Sequence, residues 1–85
     1  MTTFRITFKS LHDFEKYAEL WGKFHFEAVL AGCDFLVDAF DILELFNHYP
    51  LEDLRFTITN LYDGDARQIY YFLKNAGLLS VGYPE

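Results

Sequence analysis

The stretch that most restricts the fold is residues 37–54, VDAFDILELFNHYPLEDL. It reads as a strand end at Val37-Asp38-Ala39, a turn at Phe40-Asp41, a short helix over residues 42–48, and a stop at Pro50. Asp41 can accept from the free amides at the helix start, and Glu44, three residues on, can reach back, which makes an Asp-x-x-Glu capping box. Proline cannot continue a helix and pushes the preceding Tyr49 away from helical geometry. A strand, a capped two-turn helix and a stop in so few residues is an arrangement that few small folds use.

Around that stretch the hydrophobic period switches repeatedly. Residues 3–8, TFRITF, alternate, with Phe4, Ile6 and Phe8 on one face and Thr3, Arg5 and Thr7 on the other, a half-buried strand. Ser10-Leu-His-Asp13 is a second capping pattern, opening a helix that runs to about Gly22. Leu11, Phe14, Ala18 and Trp21 line its apolar face, widened by Tyr17, Leu20 and Phe24. Residues 25–30 alternate again, with Phe26, Ala28 and Leu30 inward. A tight turn follows at residues 31–34, where Gly32 is free to take a positive φ, and residues 35–37 return as the partner strand.

Beyond Pro50, residues 51–54 lead into a strand over 55–59 that turns Phe56 and Ile58 inward, and residues 60–64 carry turn chemistry. Asp65-Ala-Arg-Gln68 is a third capping pattern, and Ile69, Phe72, Leu73 and Ala76 form the buried stripe of the helix it opens. Gly77 ends that helix as a C′ residue, with Leu78 placed for the contact of a Schellman cap. The sum is β-α-β-β-α-β-α over a core of about residues 3–77, with a short unassigned tail. Caps and hydrophobic periods agree on it.

Eighty-five residues form one domain, and ten Phe with six Tyr supply the buried area a core of this size needs. The lone Cys33 has no internal disulfide partner, which suits a reduced, cytoplasmic setting. The start MTTFRITFKS lacks the apolar run of a secretion signal, and no run of 18 apolar residues is available for membrane insertion. A net charge of −6 without a basic stripe argues against nucleic acid. The spacings of His12, His25 and His48 match no zinc pattern, and the aspartates spell no calcium loop. No Gly-rich phosphate loop or Gly-x-Ser-x-Gly elbow occurs, so neither cofactor nor metal is expected.

The order of elements, the Phe40-Asp41-Ile42-Leu43 segment at the short helix, and the hydrophobic positions Leu51, Phe56, Ile58, Ile69 and Phe72 together resemble the histidine-containing phosphocarrier HPr of the bacterial phosphotransferase system. The likeness is one of pattern over roughly residues 3–77. It implies an α+β open-faced β-sandwich, a four-stranded antiparallel sheet with three helices on one face. It also implies that His12, at the start of the first helix, is the phosphohistidine candidate. The family's motif at that place is Gly-Leu/Ile-His-Ala/Thr-Arg-Pro-Ala, and here Phe14 stands for the Arg and Glu15 for the Pro. The segment is also about two residues short, which moves Ser10 toward the active position. Asp13 and Glu15 already complement the positive helix end and would repel a phosphoryl group.

In part of that family a serine at the short helix is phosphorylated for regulation, and Asp41 holds its place here. A fixed charge imitating phosphoserine is one reading, and a plain cap worth about 1 kcal/mol over Ala is the simpler one. In HPr the short helix helps form the partner surface, so the resemblance implies a partner-binding site with Asp41, Ile42, Leu45 and Phe46. Surplus aromatics there can serve a partner protein, a homodimer, or packing against the tail through Leu79, Val81 and Tyr83. The expected function is a non-catalytic, HPr-like module that binds phosphotransferase-system components or a regulator. A working phosphocarrier using His12 is one alternative. A ligand-binding βαββαβ dimer of ACT-like or ferredoxin-like type is the other, though those folds need no helix at 41–50.

Overall fold

The computed structural model describes residues 2–48, 51–62 and 64–80. In chain order they form β1 (Thr2–Phe8), α1 (Leu11–Lys23), β2 (Phe26–Ala31), β3 (Leu36–Asp38), α2 (Ile42–Phe46), β4 (Leu51–Leu61) and α3 (Ala66–Asn75). The strands make one antiparallel sheet in the order β1-β4-β2-β3, so the last strand is inserted between the first two. The hairpin β2–β3 extends it on the far side.

Alternation decides which face is covered. Phe4, Ile6 and Phe8 of β1, Phe26, Ala28 and Leu30 of β2, and Phe56 and Ile58 of β4 are buried in one cluster. Phe14, Tyr17 and Leu20 of α1, Leu45 of α2, and Ile69 and Leu73 of α3 join the same cluster, so all three helices lie on that face. The other face is polar and open: Thr3 and Thr57 meet through their hydroxyls at 3.0 Å, and Arg5 stands opposite Arg55.

β4 begins four residues before the position its alternation suggests, because a bulge rephases it. Ile6 faces Leu54 while Phe8 faces Leu51, so β4 spends one residue more than β1 over that step. The extra residue is accommodated at Asp53, with φ 54°, whose amide donates to Thr7 Oγ1 at 2.9 Å and whose carboxylate takes the Arg5 guanidinium. Leu51 and Leu54 are thereby both buried, which strict period 2 forbids. A second register shift opposite Glu27 and Ala28 carries β4 on through Asn60 and Leu61, residues that read as loop in the sequence.

The centre of the α1 face also differs from expectation. Phe14 stacks on Phe8, the last residue of β1, at 4.5 Å. Leu11, a turn earlier, therefore overhangs the sheet and is 64% exposed. Tyr17, at the middle of the helix, is fully buried instead.

At the other end, Gly77 (φ 75°) closes α3 in a Schellman motif, with Leu78 N–H donating to Leu73 O at 2.9 Å and Gly77 N–H to Lys74 O at 3.1 Å. Residues 78–80 then run along the outer edge of β1: Thr7 N–H donates to Leu78 O at 2.8 Å and Ser80 N–H to Arg5 O at 2.9 Å. They cover an edge that would otherwise be open to pairing. The proposed helix stop at Tyr49-Pro50 and the tail residues Val81 and Tyr83 lie outside the described residues.

Candidate functional site

The corner where α1 starts beside α2 is assembled by a short chain of hydrogen bonds. Ala39 N–H donates to Ala28 O of β2 at 3.1 Å, and Tyr17 O–H of α1 donates to Ala39 O at 2.5 Å. Burial pushes the Tyr17 hydroxyl well above its ordinary value, with the Asp38 carboxylate adding to the shift, so it stays a donor. Asp38 makes the turn itself, accepting from Phe40 N–H through Oδ1 at 2.9 Å and from Asp41 N–H through its carbonyl at 3.0 Å. α2 starts from that turn. Asp41 caps it, Oδ1 accepting from Glu44 N–H at 3.1 Å. Glu44 does not complete the box and lies instead beside Asn47 and His48.

Leu45 was expected on the partner surface, and its place is different. It is 0% exposed and pins α2 to the core as the one fully buried residue of that helix. Ile42 is partly buried against the same cluster. Phe46 stays 42% exposed while its ring meets Phe14 at 4.7 Å. That contact is where the start of α1 meets α2. Leu43, three residues before Phe46, is 80% exposed, and Leu11, three residues before Phe14, is the matching exposed leucine on α1.

Phe40 belongs elsewhere, its ring packed on Trp21 and Phe26 at 5.2 and 5.3 Å. Leu79 does not reach the corner, since it pairs with Ile6 on the β1 edge. Leu11 was missed as a surface residue because helical periodicity alone places it in the buried stripe. The signal available was its position in the first turn, beyond the end of β1.

His12 is on the surface of the first turn of α1, its imidazole 67% exposed and 3.7 Å from the Glu15 carboxylate. The capping pattern there is displaced by one residue: Ser10 makes no side-chain cap bond, and Asp13 accepts from Lys9 N–H at 2.7 Å. The chain's three guanidinium groups have other partners, Arg5 on Asp53, Arg55 on the Gly32 carbonyl at 3.2 Å, and Arg67 on Asp65 at 3.1 Å. His25 lies against Tyr62, and His48 stacks on Phe35 at 4.0 Å, so the three imidazoles occupy separate places. Among the described residues no group of three or more potential metal ligands is gathered. No described helix is long and apolar enough to cross a membrane.

No protein-family model, curated protein or solved structure matches the chain.

Proposed function

We propose that this protein is a non-catalytic module of the HPr-like kind that binds a protein partner through the start of α1 and the exposed face of α2. One observation carries the reading: Leu11, Leu43 and Phe46 stand exposed on the two helices that the Phe14–Phe46 contact joins, whereas the other exposed large apolar residues among those described, Leu36, Phe40, Tyr62 and Tyr71, lie outside α1 and α2. The β-α-β-β-α-β-α order with three helices on one face supports the HPr-like part of it. The presence of α2 favours it over a βαββαβ ligand-binding dimer.

A phosphocarrier role for His12 is the competing reading. His12 is accessible, but its near neighbour is a carboxylate, and the arginines that could stabilise a phosphoryl group are engaged elsewhere. Asp41 acts as a cap here, which supports its structural role without a regulatory one. Incubation with enzyme I and labelled phosphoenolpyruvate distinguishes these readings. The expected result is an unlabelled protein. Label that disappears in His12→Ala would replace the docking module with a phosphocarrier.

A further inference from the structure

The docking corner has a charge pattern that says what kind of partner it fits. Residues 10–15 and 40–48 contain four carboxylates, Asp13, Glu15, Asp41 and Glu44, and no Lys or Arg. The cations nearest in sequence line other grooves. Lys9 lines a groove with Thr7, Asp53 and Ser80 on the β1 edge, and Lys16 lines one with Phe72 and Asn75 between α1 and α3. Lys23, at the far end of α1, lies over the Phe72 ring at 5.8 Å. Glu15 and Glu44 have side chains 75% and 47% exposed, and their near partners are His12 and His48 rather than a lysine or arginine. The two segments that carry the apolar centre thus hold four carboxylates and no lysine or arginine.

Resting on the docking reading above, we infer that the corner takes a cationic partner. This is a segment of another protein that lays apolar side chains on Leu11, Leu43 and Phe46 and Lys or Arg side chains on the surrounding carboxylates. Opposite charges around an apolar centre steer encounter and fix register, while like charges brought together there oppose association. A second copy of this chain would press the same carboxylates against themselves, with a net charge of −6 on each molecule adding to the repulsion. Nucleic acids and anionic membranes are repelled in the same way.

The test uses the full chain, nitrogen-15 labelled, and three synthetic helical peptides of equal length. One carries Leu on one face and Lys on its flanks, the second replaces Lys by Glu, and the third keeps the Lys but scrambles the apolar face. The first peptide should shift amides of residues 10–15 and 41–47, and its binding should weaken as salt rises from about 0.1 to about 1 M, where the Debye length shrinks from roughly 10 to 3 Å. Leu43→Asp should weaken it about tenfold or more, in the manner of a central apolar contact. Glu15→Lys with Glu44→Lys should turn the preference toward the Glu peptide.

Equal binding of the Lys and Glu peptides at these amides would leave the docking reading standing and overturn the cationic partner. Equal binding of the scrambled peptide would overturn it too, as bulk charge attraction. If no peptide moves these amides, the docking reading itself falls. Sedimentation showing a dimer that Leu43→Asp disperses would make a second copy the occupant and sink the inference.

Discussion

Helix α3 and the corner of α1 with α2 are finished to different degrees. At α3 both ends are closed by the chain's own groups: the Asp65–Gln68 capping box is complete, and Gly77 and Leu78 seal the other end. At the corner Ser10 makes no cap bond, the Asp41 box is half formed, and Leu11, Leu43 and Phe46 remain in solvent. α3 meets the local rules on every level, as a segment whose task is to be folded does. A corner that breaks two of them in one place is where a functional surface is to be sought.

The contrast is sharpest inside α2. Leu45→Ala should cost about 2–5 kcal/mol by opening a cavity in the core. Leu43→Ala, two residues away, should change stability by no more than about 0.5 kcal/mol. Urea denaturation of the two variants measures the difference, and a comparable loss in both would show that Leu43 is packed after all.

Tyr17→Phe tests the bolt between α1 and the approach to α2. Removing the hydroxyl leaves the Ala39 carbonyl without that donor and should cost about 1–3 kcal/mol. Alkaline titration gives a second readout. Burial raises the folded hydroxyl above its ordinary value, so its stabilising contribution is full below about pH 10 and is lost as pH rises beyond that, at about 1.4 kcal/mol per pH unit. Denaturation curves between about pH 9 and 11.5 should show this loss in the wild type and a shallower one in Tyr17→Phe. Equal slopes in the two proteins would mean that the hydroxyl ionises in place.

The smallest expected difference is between caps. Asp65→Ala should lower the melting temperature, whereas Ser10→Ala should leave it nearly unchanged, because Ser10 makes no capping bond to lose. The Arg67 backbone amide, then its guanidinium, hold the Asp65 carboxyl below the ordinary carboxylate range. Its contribution is therefore present above the ordinary carboxylate value and is lost as pH falls through the lowered one. Melting scans from neutral to strongly acid pH should bring wild type and Asp65→Ala together. A Ser10→Ala loss as large as that of Asp65→Ala would erase the distinction between the two helix starts.

Local rules reached far along this chain. The alternation in TFRITF and in Phe26-Glu-Ala-Val-Leu30 named the inward faces of β1 and β2 correctly, and Asp65, Gln68 and Gly77 marked both ends of α3. They failed where a distant residue sets the geometry. Leu51 and Leu54 do not alternate, and they share a face because Thr7 and Arg5, more than forty positions away, hold Asp53 in a bulge. The corner was half legible: residues 40–46 announced an aromatic short helix, but Leu45 and Leu11 exchanged roles, since burial there depends on where the sheet ends.

Periodicity and capping chemistry act over three or four residues, so the sequence by itself determined the order of elements, the inward faces of the first two strands and the closure of α3. Insertion of β4 between β1 and β2, the seating of residues 78–80 on the β1 edge, and the meeting of Phe14 with Phe46 were decided in the tertiary structure. Each joins segments far apart in the chain, and which leucines stay in water follows from what covers them.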